Sequence, residues 1–320
     1  MAARIVVTRR IPEPAVELLS ATGDVWVSPH DRPLTTDELH EAVAGADTVV
    51  TLLHDRVDDA FLDAAGPGLR VVANVAVGYD NVDVPACARR GVVVTNTPGV
   101  LTEATADLAF ALILMATRRL GEGERLIRAQ TPWSWSMFFM LGSGIQGKTL
   151  GIVGLGKIGQ ATARRARAFG MEIAYAGRRR AHAELEGELE ARFLSFEELL
   201  GAADVVSLHC PLSAETHHLI DAAALDRMKP TACLINTTRG PVVDEAALAA
   251  ALRSGAIAGA GLDVFEREPE VHPDLLDLEN VVLIPHLGSA TVETRTAMGV
   301  LAARNVVAVL AGEAPLTPVA

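Results

Sequence analysis

Residues 149–170 read TLGIVGLGKIGQATARRARAFG, and the organisation of the whole chain can be worked out from this stretch. TLGIV is a short apolar strand, Gly154-Leu155-Gly156-Lys157-Ile158-Gly159 follows at once, and QATARRARAF continues as a helix that stops at Gly170. A G-x-G-x-x-G pattern alone is common. Preceded by a strand and followed by a helix, it becomes the arrangement in which unpaired N–H groups and the positive end of a helix dipole meet a pyrophosphate. Gly154 is expected to permit the tight turn, Gly156 to let backbone approach phosphate, and Gly159 to let the helix sit close on the strand. The alternative is a glycine-rich turn with no ligand.

On both sides of this stretch, runs of Val, Ile and Leu alternate with helical patterns, as expected for parallel strands joined by crossover helices. Before it, strands are expected at Arg4–Val7, Asp47–Leu53, Leu69–Val75 and Val92–Val94, with helices near Pro14–Ser20, Thr36–Ala44 and Val84–Arg89. A long helix starts near Leu101, with Thr102 able to cap it. Strands then follow at Thr149–Val153, Glu172–Tyr175, Val205–His209, Ala232–Asn236, Ala258–Val264 and Val281–Ile284, six in all, suiting a doubly wound sheet. The glutamate-rich 181–190 segment reads as a solvated turn and helix. After His286 the period is helical again, ATVETRTAMGVLAARNVVAVLAGE. The expected fold is α/β: two doubly wound, Rossmann-like parallel-sheet domains with a cleft between them. Residues 1–99 and 290–320 form a discontinuous substrate-binding domain, and residues 100–289 an NAD(P)-binding domain.

Length agrees, since 320 residues exceed what one core usually supports. No apolar run approaches the roughly 18–20 residues of a membrane span. The start, MAARIVVTRRIPEPAVELL, lacks the pattern of a signal peptide, so a soluble cytoplasmic protein is expected. Cys87, Cys210 and Cys233 lack C-x-x-C spacing and read as packing residues, and the histidines lack metal-ligand spacing, so no metal is assigned. A formal net charge of −12 opposes a nucleic-acid partner and favours a small molecule.

The strand after the glycine turn ends in EIAYAGRRR. Where an acidic residue would hold the adenine ribose of NAD, Gly177 stands instead, and Arg178, Arg179 and Arg180 follow. A guanidinium there suits a 2′-phosphate, so NADP(H) is expected to be preferred, with NAD(H) still usable. The other reading is an ordinary solvated loop. Thr237, Thr238 and Arg239 lie just past the strand LIN, on the carboxyl side where doubly wound sheets bind ligands. The planar fork of Arg239 can grip a carboxylate and the adjacent carbonyl oxygen of a 2-oxo acid together, polarising the carbonyl toward hydride attack. His286, after VVLIP, is the natural proton donor, and Glu268, in FEREPE, could hold its imidazole in the charged form. Taken singly, His286 could be a packed histidine and Glu268 a surface carboxylate, while Asp244 reads more simply as a helix N-cap.

Gly154–Gly159, NTTRG, GLDVFEREP and IPHLGSAT occur in this order, and on them the chain resembles the D-isomer-specific 2-hydroxyacid dehydrogenases over nearly its full length. The resemblance implies catalysis by Arg239, Glu268 and His286. It implies a substrate loop at Ala73–Asp83, with the N–H groups of Val77 and Gly78 on the substrate carboxylate and Leu53 facing the same pocket. Thr105 and Asp263 would lie near the nicotinamide. The cofactor would also meet Leu155, Lys157, Ile158, Cys210, Pro211, Thr216, Thr237, Thr238, Arg239, His286, Gly288 and Ser289. NTPGVLTEATADLA, YAGRRR and WSWSMFFMLGSGIQGKTLGIVGLG look most like glyoxylate and hydroxypyruvate reductases, in which an aromatic arm reaches a neighbouring subunit's site. Trp133 or Trp135 would be that arm, Trp135 touching substrate, in a homodimer. The MFFM stretch departs from some of these reductases and leaves substrate size open.

The expected function is NAD(P)H-dependent reduction of a small 2-oxo acid, glyoxylate or hydroxypyruvate, to the D-2-hydroxy acid, with the proton from His286. Alternatives are a related dehydrogenase acting on larger 2-oxo acids, phosphoglycerate or formate, and a nucleotide-sensing, corepressor-like binding protein. The last is disfavoured because every catalytic position is retained.

Overall fold

A computed structural model describes residues 2–319, which divide into two units, one reaching to Leu101 and resuming at Ala290, the other spanning Thr102–Ser289. In chain order the first unit contains β1 (Ala3–Val7), α1 (Glu13–Ser20), β2 (Gly23–Val27), α2 (Thr36–Val43), β3 (Thr48–Thr51), α3 (Asp59–Ala65), β4 (Val71–Asn74), α4 (Val84–Arg89) and β5 (Val93–Thr95). The second contains α5 (Thr102–Thr117), α6 (Leu120–Arg128), β6 (Thr149–Val153), α7 (Lys157–Ala168), β7 (Glu172–Ala176), α8 (Ala183–Leu189), β8 (Ala191–Phe193), α9 (Phe196–Ala202), β9 (Val205–Leu208), α10 (Ala222–Arg227), β10 (Cys233–Asn236), α11 (Glu245–Ser254), β11 (Gly259–Leu262), α12 (Pro273–Leu276) and β12 (Val281–Leu283). The last helix, α13 (Val292–Leu310), returns to the first unit.

The first unit's sheet is parallel, in the order β2-β1-β3-β4-β5. Alternate residues point to opposite faces, so one strand feeds two cores. Val6, Val49 and Val72 pack with Leu39, Phe61 and Cys87 of α2, α3 and α4. Ile5, Val50 and Val71 face Leu19 of α1 and Ala302, Ala303 and Val306 of α13. Strands covered on both faces carry consecutive apolar residues, Val49 and Val50 in β3 and Val71 to Ala73 in β4, which makes them conspicuous in sequence. The expectations omit two elements here. β2, GDVWV, is an edge strand, half open to solvent, whose Gly and Asp are poor strand formers. α3, DAFLDAA, is short and is started by Asp58, whose carboxylate accepts the Phe61 N–H.

The second unit's sheet, also parallel, has the order β12-β11-β10-β9-β6-β7-β8. α5 and α7 cover one face around Ile113, Leu150, Ile152 and Ile173. On the other, α9, α10 and α11 pack Leu199, Leu225 and Leu248 against Val206, Leu234 and Leu262. Seven strands replace the expected six because β8 is a three-residue edge strand with too little apolar sequence to register. Thr102 is the first residue of α5 and not a cap preceding it. The strand order reverses between β6 and β9, and the glycine turn leaves β6 at this switch point, where doubly wound sheets open a crevice for ligands.

Candidate active site

The carboxyl edge of the second unit's sheet carries most of the predicted site residues, in spatial order. Arg178 follows β7, the glycine turn follows β6, Cys210 and Pro211 follow β9, Thr237–Arg239 follow β10, Asp263 and Glu268 follow β11, and His286 follows β12. From β7 to β12 is five inter-strand steps, about 24 Å of edge.

At the glycine turn, Gly154 has φ +94°, and a Cβ there would lie 3.0 Å from the Cys210 nitrogen and the His209 carbonyl, so only glycine fits. A Cβ on Gly159 would come within 2.5 Å of the Gly154 oxygen, whereas one on Gly156 would meet nothing within 4 Å. The turn is thus closed toward the strand and open on the side of the first N–H groups of α7, which lack partners in the helix by construction. Gln160 Nε2 steadies it by donating to the Leu155 carbonyl, 3.2 Å. Lys157 is exposed and Ile158 half-buried. This cradle, and the buried Thr237 hydroxyl, which has no hydrogen-bond partner among the described residues, fit a dinucleotide.

The three arginines after β7 differ. Arg180 is engaged by Glu186 at 2.9 Å, and Glu186 also accepts the Tyr175 hydroxyl, 2.5 Å. Arg178 and Arg179 are exposed. After β9, the Thr216 hydroxyl donates to the Pro211 carbonyl, 2.7 Å, and accepts the Ser213 N–H, 2.8 Å, so it shapes its own loop.

After β10 the chain turns around Asn236. Its Oδ1 accepts the N–H and hydroxyl of Thr238, at 3.0 and 2.8 Å, and its Nδ2 donates to the Arg239 carbonyl, 2.9 Å. Sequence reasoning passed over Asn236; an Asn closing a buried strand before a turn was the available signal.

At the far end, His286 Nδ1 donates to Glu268 Oε2 at 2.8 Å, and Glu268 Oε1 accepts the Phe265 N–H at 3.1 Å, so one carboxylate holds the ring and is itself held. With Nδ1 engaged, Nε2 is the ring atom positioned to exchange a proton. His286 has φ +52°, a conformation non-glycine residues rarely adopt and one that persists where surroundings enforce it. Asp263 helps enforce it. Its carbonyl accepts the His286 N–H, 2.8 Å, and its carboxylate accepts the N–H groups of Leu287 and Gly288, at 2.5 and 2.8 Å. Burial raises the Asp263 carboxyl to about 6, against the lowering effect of the Leu287 N–H, His286 and the Gly288 N–H. The Thr105 hydroxyl donates to the Gly288 carbonyl, 3.0 Å, tying α5 to the same turn, with Ser289 next in the chain.

In the first unit, the 73–83 loop is pinned through its carbonyls. Asn96 Nδ2 donates to the Val77 carbonyl, 2.8 Å, and Asn74 Nδ2 to the Gly78 carbonyl, 3.1 Å, while Asn74 and Asn81 bond each other at 3.3 Å. Val77, Gly78 and Leu53 are half-buried. The aromatic segment of the second unit is open: Trp135 is 76% exposed and Phe138 86%, and Trp133 stacks on Phe139. All three cysteines are free and buried. Among the described residues there is no metal-ligating cluster, and no helix is long and apolar enough to cross a membrane.

Residues 110–288 match the D-isomer specific 2-hydroxyacid dehydrogenase, NAD binding domain. The chain is 48% identical to a glyoxylate reductase of Thermococcus litoralis over 98% of its own length and 96% of the relative's. With that of Pyrococcus furiosus it is also 48% identical, over 99% and 95%. Among solved structures, a Thermus thermophilus protein superposes with a TM-score of 0.92 at 45% identity, covering 99% of this chain and 100% of that one. The NADPH-dependent glyoxylate/hydroxypyruvate reductase of Sinorhizobium meliloti, solved with NADP and malonate, gives 0.86 at 38% identity, covering 100% and 97%. With the paired His286 and Glu268, the glycine turn and these matches together, the chain belongs to the D-isomer specific 2-hydroxyacid dehydrogenase family.

Proposed function

We propose that the protein reduces a small 2-oxo acid, glyoxylate or hydroxypyruvate, to the D-2-hydroxy acid, with NADPH preferred over NADH. The observation that carries this reading is the 2.8 Å bond between His286 and Glu268 at the ends of β12 and β11, beside the strand that delivers Arg239.

Bound nicotinamide supplies the hydride. Arg239 pairs its guanidinium with the acid's carboxylate and keto oxygen, drawing charge toward the oxygen as the carbonyl carbon is attacked. His286 gives its Nε2 proton to that oxygen, completing the hydroxyl, and Glu268 on Nδ1 stabilises the ring in its charged form; in the oxidative direction the same nitrogen takes the proton back. The N–H groups of Val77 and Gly78 bind the acid's carboxylate, their carbonyls being occupied by Asn96 and Asn74. Arg178 and Arg179 pair with the 2′-phosphate of NADPH, a role supported by their exposure and by the absence of an acidic residue at Gly177.

The exposed apolar residues Trp135, Met137, Phe138 and Leu141 support a homodimer in which Trp135 reaches the partner's substrate, as so large an open apolar segment is otherwise costly. Initial rates of NADPH and NADH oxidation with a panel of 2-oxo acids test the proposal. Turnover of glyoxylate or hydroxypyruvate, faster with NADPH, is expected. Folded, nucleotide-binding protein that turns over none of the acids would overturn it and favour a sensing role.

A further inference from the structure

The loops that deliver Arg239 and Glu268 come closest at Gly240. Gly240 runs so close to Phe265 that a Cβ on it would lie 1.8 Å from the Phe265 carbonyl carbon. Such an approach fixes a distance but not an orientation, and the next residues provide that. Glu266 and Glu245 exchange hydrogen bonds: the Glu266 N–H donates to Glu245 Oε1 at 2.8 Å, and the Glu245 N–H to Glu266 Oε1 at 3.0 Å.

His218 stands against both loops at once. Its backbone N–H donates to the Pro241 carbonyl, 2.8 Å, two residues past Arg239, and its Nε2 lies 3.0 Å from Glu266 Oε1, two residues before Glu268. Its backbone is in the left-handed region, φ +49°, which few non-glycine residues adopt. His217 stacks on its ring at 4.1 Å, and Asp244 Oδ2 lies 3.9 Å from its Nδ1. Ile220, two residues on, bridges to Val243 and continues the contact away from the site.

We propose that His218 is a positioning residue for catalysis: by donating Nε2–H to Glu266 while its backbone holds Pro241, it sets the Glu268 loop in register with the Arg239 loop. The proposal rests on the assignment of Arg239, Glu268 and His286 as the reacting residues. His218 does not reach the reacting atoms itself; its effect passes through the 265–268 segment, in which the Phe265 N–H holds the Glu268 carboxylate.

The test is steady-state kinetics of the intact protein with glyoxylate and NADPH for His218→Leu, His218→Gln, Glu266→Leu and His286→Gln. Thermal melting and NADPH binding by tryptophan fluorescence accompany each variant. His218→Leu keeps bulk but loses the donor, and kcat is expected to fall about tenfold with the KM for NADPH unchanged, the loss that goes with one charge-assisted hydrogen bond. His218→Gln places an amide N–H near the position of Nε2 and should recover most of kcat. Glu266→Leu, which removes the acceptor, gives the same reading should His218→Leu not fold. Wild-type kcat in both His218→Leu and Glu266→Leu, or an equal loss in His218→Leu and His218→Gln, would overturn the positioning role. Full activity of His286→Gln would overturn the underlying assignment instead.

Discussion

Asp263 accepts the backbone N–H of Gly288 with its carboxylate and of His286 with its carbonyl, so the end of β11 dictates the backbone of the turn that follows β12. An amide in place of the carboxylate would set an NH2 against the N–H of Leu287 or of Gly288, both of which the carboxylate accepts. Asp263→Asn is therefore expected to lower kcat about tenfold or more while the protein stays folded, read by steady-state rates and circular dichroism.

The same carboxyl predicts a pH dependence of stability. Its folded value is raised, to about 6, so the native protein holds the proton more tightly than the unfolded chain. That stability is complete below the ordinary carboxylate value and is lost as the pH rises toward about 6. Relative to wild type, Asp263→Asn should gain stability as the pH climbs through this window, measured by melting at successive pH values.

His209 has the opposite sign. Burial lowers its imidazole to about 4, with Nε2 2.9 Å from Ser207 Oγ. A neutral histidine stabilises the fold above the ordinary histidine value, and the contribution is lost as the pH falls toward about 4. The stability gap between wild type and His209→Gln should narrow over that interval on acidification. A gap of constant size would show that the two forms titrate alike.

His286→Gln keeps an amide near Glu268 but removes the transferable proton. Turnover should drop by about 10²–10⁴-fold with NADPH affinity nearly intact, checked by steady-state rates and a fluorescence titration. Wild-type turnover would remove His286 from the chemistry.

Replacing Arg178 and Arg179 together by Ala should reduce kcat/KM for NADPH about ten- to a hundredfold and leave that for NADH nearly unchanged. Arg180→Ala, by contrast, should act through Glu186 and Tyr175 and leave the preference alone.

Legibility in the sequence followed burial. β3, β4 and β6 are wholly buried, and the apolar residues at their centres, Val49 and Val50, Val71 to Ala73 and Leu150 to Val153, announced them. The edge strands β2 and β8 are partly solvated, and nothing in GDVWV or ARF separates them from loop. In the site, Gly154, Arg239, Glu268 and His286 stand in sequence contexts that carry chemistry by residue type. Asn236 was legible as an Asn closing a buried strand before a turn, whereas Asn74, Asn96 and His218 were not, because their roles are hydrogen bonds between segments that meet only once the loops have folded. The separation of Arg180 from its two neighbours depended on Glu186, six positions away, for the same reason.

The residues proposed to choose the coenzyme follow β7 and the one proposed to deliver the proton follows β12, so along one sheet edge the two proposed roles lie about 24 Å apart. Residues so far apart with no shared partners combine their effects independently. On that proposal, rewriting the YAGRRR tip alone is expected to retune the protein from one coenzyme to the other and to carry over the acid–base machinery unedited.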